Sequence, residues 1–209
     1  LKLTLNGDFV WVKNIISTAS NSISAALGMS INKNGEILLT GIFIASCDFD
    51  PGPQSYSIST LGYESDIFLL KLDANGNFMW VKTIGAGNYD YDGAESVVID
   101  NNNNIYLTGY FKGTVDFDPG NGTNNLTSNG GRDFFLVKLS DNGNLIWARS
   151  IGGPGYDYAL KLHIGSMGDI YLTGWFTGTD DFDPNAGVFN LSTAVPFTAY
   201  ILKLDTASN

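Results

Sequence analysis

Residues 105–119, Ile-Tyr-Leu-Thr-Gly-Tyr-Phe-Lys-Gly-Thr-Val-Asp-Phe-Asp-Pro, decide the fold because the chain contains three versions of this stretch. Each version has a Thr-Gly pair, followed by Asp-Phe-Asp-Pro at residues 48–51, 116–119 and 181–184. A lysine recurs in step with them, at spacings of 69, 67 and 65 residues: Lys2, Lys71, Lys138 and Lys203. A fixed period of this length indicates one supersecondary unit that is copied and stacked.

The second copy shows most clearly what one unit contains. Residues 94–100 alternate apolar and small or polar side chains, as a strand does, and residues 105–111 are apolar on both faces. Two further β-rich runs, 134–139 and 145–151, flank an Asn-Gly turn, which is a strong hairpin signal because Asn and Gly tolerate positive φ. The pattern predicts four antiparallel strands, here named A to D in chain order.

A four-stranded sheet that is apolar on both faces and repeated in tandem predicts an all-β fold, a β-propeller fragment made of stacked blades. The chain holds about three repeats of 65–69 residues: 1–69, 70–136, 137–201 and the start of a fourth at 202–209. The count gives two complete blades and two partial ones, fewer than the roughly 4–8 blades that close a ring. We therefore expect either a piece of a longer propeller, the favoured alternative, or a ring completed by another chain.

The acidic residues are expected to collect on one side of such a ring. The chain has a net charge of −10, and in a propeller the B–C and D–A connections lie on the same face. Thirteen of the 21 acids fall in those connections: Asp48, Asp50, Glu64, Asp66, Asp90, Asp92, Asp116, Asp118, Asp133, Asp157, Asp180, Asp181 and Asp183. Such a face repels nucleic acid and anionic membranes and attracts cations or basic partners. Nucleic acid binding is therefore not expected. Membrane insertion is not expected either, because no apolar run approaches the roughly 20 residues of a membrane span.

The Asp-X-Asp-Pro motif has two competing interpretations, with direct ligand contact as a third. Paired carboxylates near loop carbonyls suit calcium, which takes 6–8 oxygen ligands. Asp also caps turns through its own backbone, Pro fixes φ, and the Phe between the aspartates would plug the end of the sheet. The turn is the favoured interpretation, and the candidate calcium ligands are Asp48, Asp50, Asp116, Asp118, Asp181 and Asp183.

Other reactive side chains form no constellation of catalytic type. His163, the one histidine, stands where the other copies have Val98 and Ser30, and is expected in the core or near the axis. Cys47, the one cysteine, is expected to be a partly buried small residue. Tyrosines beside acids in the D–A connections suit sugar or protein recognition: Tyr89, Tyr91, Tyr156 and Tyr158.

Residues 99–120 (IDNNNNIYLTGYFKGTVDFDPG) and 168–184 (GDIYLTGWFTGTDDFDP) resemble the bacterial seven-bladed β-propeller repeat, the SBBP repeat. The hallmark of that family is Gly-Asn-X-Tyr-X-Thr-Gly followed by Asp-Phe. The resemblance covers nearly all of the chain, although residues 37–41 of the first copy lack the tyrosine. It implies a secreted or cell-surface bacterial protein, and it implies no reaction.

Two functions of different classes follow from these observations. The favoured one is a non-catalytic scaffold or adhesive binding module, because the repeats are even and no acid–base constellation is confined to one copy. Its expected partners are further blades of the same protein or another chain, and a protein or glycan ligand. The alternative is part of an extracellular enzyme acting on polysaccharide, with its catalytic residues in other blades.

Overall fold

The computed structural model describes residues 1–60, 62, 64–85, 91–195 and 197–205. These residues form β-strands joined by turns and loops, without a helix among them. In chain order the strands are β1 Lys2–Leu3, β2 Phe9–Trp11, β3 Ile16–Ser17, β4 Ile23–Ile31, β5 Ile37–Ile44, β6 Ser46–Asp48, β7 Ser57–Ser59, β8 Asp66–Leu72, β9 Phe78–Ile84, β10 Gly93–Ile99, β11 Ile105–Phe111, β12 Thr114–Asp116, β13 Asn125–Thr127, β14 Asp133–Leu139, β15 Leu145–Ile151, β16 Tyr158–Ile164, β17 Ile170–Phe176, β18 Thr179–Asp181, β19 Asn190–Ser192 and β20 Thr198–Leu204.

The main sheets are propeller-like blades, as predicted. Blade 1 has the order β4-β5-β8-β9 and blade 2 the order β10-β11-β14-β15, with every neighbouring pair antiparallel. Blade 3 has the order β16-β17-β20, and β1 pairs with β2 at the other end of the stack. Strand A of blade 2, β10, packs against both β4 and β16, so the blades converge along their first strands.

The recurring Thr-Gly pair is explained by a bulge in the neighbouring strand. Strand A carries an extra residue in each blade, and the pairing with strand B shifts there. In blade 1 the bulge brings the carbonyl oxygen of Ala25 so close to Gly41 that a Cβ on Gly41 would overlap it; Gly109 and Gly174 are crowded in the same way. The preceding threonine is buried in blade 1, where the Thr40 hydroxyl donates a 2.7 Å hydrogen bond to the carbonyl of Phe68.

The apolar cores lie between sheets rather than inside one sheet. One cluster joins blade 1 to blade 2, a second joins blade 2 to blade 3, and a third lies between the β1–β2 hairpin and blade 1. The phenylalanine of each Asp-Phe-Asp-Pro motif is a buried member of one of these clusters, as the sequence predicted. Phe117 is fully buried and meets Phe111 edge to face at 5.1 Å, and the corresponding residues are Phe49 and Phe182.

The three strand-D tryptophans occupy equivalent positions in their blades. Trp11, Trp80 and Trp147 lie opposite Lys2, Lys71 and Lys138 in the strand pairing. Each packs on the cluster that it shares with the next blade. For Trp11 and Trp80 the Asn-Gly turn of that next blade lies beneath the indole: a Cβ on Gly76, whose φ is +77°, would stand 3.2 Å from Trp11.

The long B–C connections contain a feature that the sequence did not predict. Each one folds into a two-stranded hairpin, formed by β6–β7, β12–β13 and β18–β19. The strands have only three residues, too few to show a period. Paired hydroxyls hold the second hairpin, where the side chains of Thr114 and Thr127 lie 2.8 Å apart. Cys47 lies in the first hairpin and is fully buried, which is deeper than the partial burial expected from the sequence.

Candidate functional site

The B–C and D–A connections meet at one edge of the blades, as the sequence predicted. Backbone contacts join them: the amide of Asp92 donates to the carbonyl of Ser65 at 3.1 Å, and Gly152 forms an isolated β-bridge with Asp181. The predicted acids are therefore brought to this edge, and we name it the loop face. Asp90 and Tyr89 lie outside the described residues.

Both aspartates of each Asp-Phe-Asp-Pro motif accept backbone hydrogen bonds. Oδ1 of Asp116 accepts from the amides of Asp118 at 3.0 Å and Asn124 at 2.8 Å, and Oδ1 of Asp118 accepts from Gly120 at 2.8 Å. The pattern repeats in copies one and three: Asp48 and Asp181 each accept two amides, while Asp50 and Asp183 each accept one. The motif thus forms a capped turn three times.

The electrostatics of these loops agree with a capping role. The Tyr56 amide, as the main cause, lowers the pKa of Asp48 below its usual range, because a hydrogen bond to the charged form favours it. Across the described ranges, no three His, Cys, Asp or Glu side chains are arranged to hold a metal ion. Calcium binding by these loops stays a prediction.

The opposite edge of the blades carries the recurring strand-C lysines. Lys71 is buried, and its Nζ lies 2.9 Å from Glu36 in the A–B turn of its own blade and 2.7 Å from Asp141 in the C–D turn of blade 2. Burial is the largest single effect and would lower the pKa of Lys71, but the hydrogen bonds and charges of the two carboxylates together raise it above its usual range. This buried cation therefore links neighbouring blades.

A cluster of aromatic rings around Arg132 distinguishes the loop face of blades 2 and 3. The Arg132 guanidinium lies 5.6, 5.1 and 5.8 Å from the ring centres of Tyr91, Tyr110 and Tyr158, and it donates a hydrogen bond to the Tyr158 hydroxyl. Tyr158 stacks on Trp175 with ring centres 4.2 Å apart. We name this group the Arg132 cluster; it also includes Tyr91 and, at its outer end, the exposed Phe197.

The Arg132 cluster breaks the symmetry of the repeats. Tyr158 and Trp175 form a cross-strand pair, and the pairs at the same positions are Ala25 and Ile42 in blade 1 and Gly93 and Tyr110 in blade 2. Sequence analysis singled out Tyr91 and Tyr158 but missed the others. Comparing the copies position by position is the signal that would have found Trp175. His163, by contrast, is exposed in the innermost strand, which fits the expected position near the axis and excludes the alternative in the core.

The described part of the chain contains no helix that could cross a membrane.

No family model matches the chain. It is similar to an uncharacterized WD repeat-containing protein of Acanthamoeba polyphaga mimivirus, with 25% identity over 120 residues. That match includes 51% of this chain but only 8% of the viral protein. WD repeats are propeller blades of about 40–45 residues with four strands, and the longer repeats here include the added hairpin between strands B and C. The similarity and the all-β sheets together support a repeat scaffold of the β-propeller type.

Proposed function

We propose that the chain is a non-catalytic β-propeller segment that binds another protein, within a secreted or cell-surface bacterial protein of the SBBP type. The repeated Asp-Phe-Asp-Pro motifs support a structural role, because in all three copies the aspartates cap turns and the phenylalanine closes a core. The similarity to a WD repeat-containing viral protein favours a protein ligand over a glycan, because WD repeat proteins commonly bind other proteins.

The observation that carries the proposal is the Arg132 cluster. Residues that serve only blade packing should recur, whereas Tyr158 stands where the other blades have Ala25 and Gly93, and Trp175 stands where they have Ile42 and Tyr110. Tyr and Trp combine a large apolar surface with a polar group, and together with Arg they are enriched where proteins bind one another. Tyr91 and Phe197 leave the outer parts of the cluster exposed to a partner.

The matched variants restore the residues of the first blade: Tyr158→Ala and Trp175→Ile. The probes are an array of immobilised peptides and a glycan array, both read with labelled protein. We expect binding to peptides that falls at least about tenfold in either variant, which corresponds to about 1.4 kcal/mol. His163→Val, an exposed position in the same blade, is the control and should bind as the wild type does.

Two results would count against this function. Peptide binding that survives both substitutions would separate binding from the Arg132 cluster. Binding confined to the glycan array, and lost in Trp175→Ile, would replace the protein ligand by a carbohydrate. Far-ultraviolet circular dichroism of each variant establishes that the sheets are intact.

A further inference from the structure

The outer face of blade 3 exposes positions that are buried in the other blades. Leu69, Leu136 and Ile201 occupy the same position of strand C, opposite the threonine of Thr-Gly. Their exposed fractions are 1%, 0% and 76%. The partner threonines behave alike, since Thr40 and Thr108 are fully buried and Thr173 is exposed.

What covers these positions in blades 1 and 2 is the next blade. Strand β10 packs on β4 and β5, and strand β16 packs on β10 and β11. At the second of these contacts the amide of Leu162 donates a 3.2 Å hydrogen bond to the buried hydroxyl of Ser96. The first strand of a following blade would therefore lie over β16 and β17, on Thr173 and Ile201.

Within the described residues, blade 3 has three strands, whereas blades 1 and 2 have four. Strand β20 corresponds to β8 and β14, which pair with a fourth strand in their own sheets. A cavity of about 520 Å³ lies beside β20, lined in part by Phe182, Phe189 and Ile201. A strand D in the position of β9 and β15 would fill the space at this edge.

A second copy of this chain does not fit the face as a whole. The front of blade 1, where a preceding blade would pack, already carries the β1–β2 hairpin, and Lys2 of β1 has the strand-C position that Lys203 has in β20. Blade 3 of one copy would thus compete with β1 of the next for the same place. The occupant has to bring its own strand D and first strand.

We infer that the face of blade 3 formed by Thr173 and Ile201 is a docking surface for a further blade of this repeat type, which follows a strand D paired to β20. Such a blade would bury the two side chains as Thr108 and Leu136 are buried. It would also meet Lys161, which replaces Ser96 at the equivalent position, so an acidic side chain in its first strand would complement the face.

A cysteine placed at position 173 tests the inference, because Cys47 is buried and the chain has no other cysteine. Thr173→Cys is labelled with a thiol reagent in two proteins. One is the 209-residue chain, and the other is the same chain extended after Leu204 by a second copy of residues 140–204. The added segment supplies a turn, a strand D and the strands of one more blade.

We expect rapid labelling in the 209-residue chain and labelling at least about tenfold slower in the extended chain, since labelling of a buried thiol requires local opening. Thr108→Cys is the matched control and should be protected in both proteins. Protection of Cys47 shows that each protein is folded. Equal reactivity of residue 173 in both proteins would overturn the inference. Protection of residue 173 in the 209-residue chain that increases with protein concentration would also overturn it, because it would assign the face to a second copy.

Discussion

Single residues at the loop face show how closely the blades approach one another. Asp133, Asp157 and Asp180 come from three different strands or loops and are all buried where blade 2 meets blade 3. A Cβ on Gly152 would lie 2.8 Å from both Oδ1 of Asp133 and Oδ2 of Asp157, so only glycine fits between them. Among the described residues, none donates a hydrogen bond to Oδ1 of Asp133 or to either carboxylate oxygen of Asp180, which makes their charged forms costly.

Asp180→Val tests the cost of this buried acid. Burial and then the neighbouring Asp157 raise the pKa of Asp180 to about 8, from an ordinary value near 3.8. The native state therefore holds a proton that the unfolded state has lost, so the stability present below pH 4 decreases as the pH rises toward 8. Valine occupies the equivalent position at the blade 1–2 contact, as Val115.

We expect the free energy of unfolding of Asp180→Val to vary less with pH than that of the wild type, and to exceed it at pH 8. Urea unfolding between pH 5 and pH 9 measures both. Val115→Asp is the reciprocal control and should add a pH dependence. Identical pH profiles for wild type and Asp180→Val would show that Asp180 does not titrate in this range.

Gly109→Ala tests the bulge that explains the Thr-Gly pair. The added methyl group would overlap the carbonyl of Gly93, and forcing extra atoms into a packed site typically costs about 1–3 kcal/mol. Urea unfolding should show a loss of this size. Gly7→Ala is the control for backbone strain alone, because Gly7 has a φ of +86° and nothing within 4 Å of its Cβ position. A Gly109→Ala variant as stable as the wild type would remove the steric explanation.

At the scale of the element, the Asp-Phe-Asp-Pro hairpin joins a turn to a core. Asp116→Ala removes the acceptor for two amides, and the loss of one hydrogen bond typically costs about 0.5–1.5 kcal/mol. Asp118→Ala removes the acceptor for one amide and should cost less. Asp116→Asn keeps the capping oxygen and should remain close to the wild type in thermal melting, whereas a cost as large as that of Asp116→Ala would require the negative charge.

The same loops contain the candidate calcium ligands, and a melting experiment tests them. Because both carboxylates already accept backbone amides, we expect the melting temperature to be the same in millimolar calcium and in chelator. A site that binds only the native state would add about 2.7 kcal/mol at a hundredfold excess of ligand over Kd. A clear rise in melting temperature with calcium, smaller in Asp116→Asn because one of the three loops is changed, would establish the metal site and displace the turn interpretation.

Across the whole molecule, the repeat period and the apolar strands were enough to predict the blades. The equivalent tryptophans and the buried Phe117 follow from the pattern, because each is a position that every copy has to fill. The short hairpins escaped prediction because three-residue strands have no period. The Arg132 cluster escaped because its rings come from two blades, and only the packing of those blades places Tyr110 and Tyr158 4.6 Å apart.

The central claim is that the chain is a stack of blades whose cores lie between them, and a crystal structure of the 209-residue protein tests it most directly. Superposing residues 93–151 on 23–84 should place Trp147 on Trp80 and Phe117 on Phe49, with Ile201 uncovered at the end of the stack. Tryptophans that fail to coincide, or a single copy closed into a three-bladed ring, would contradict the account.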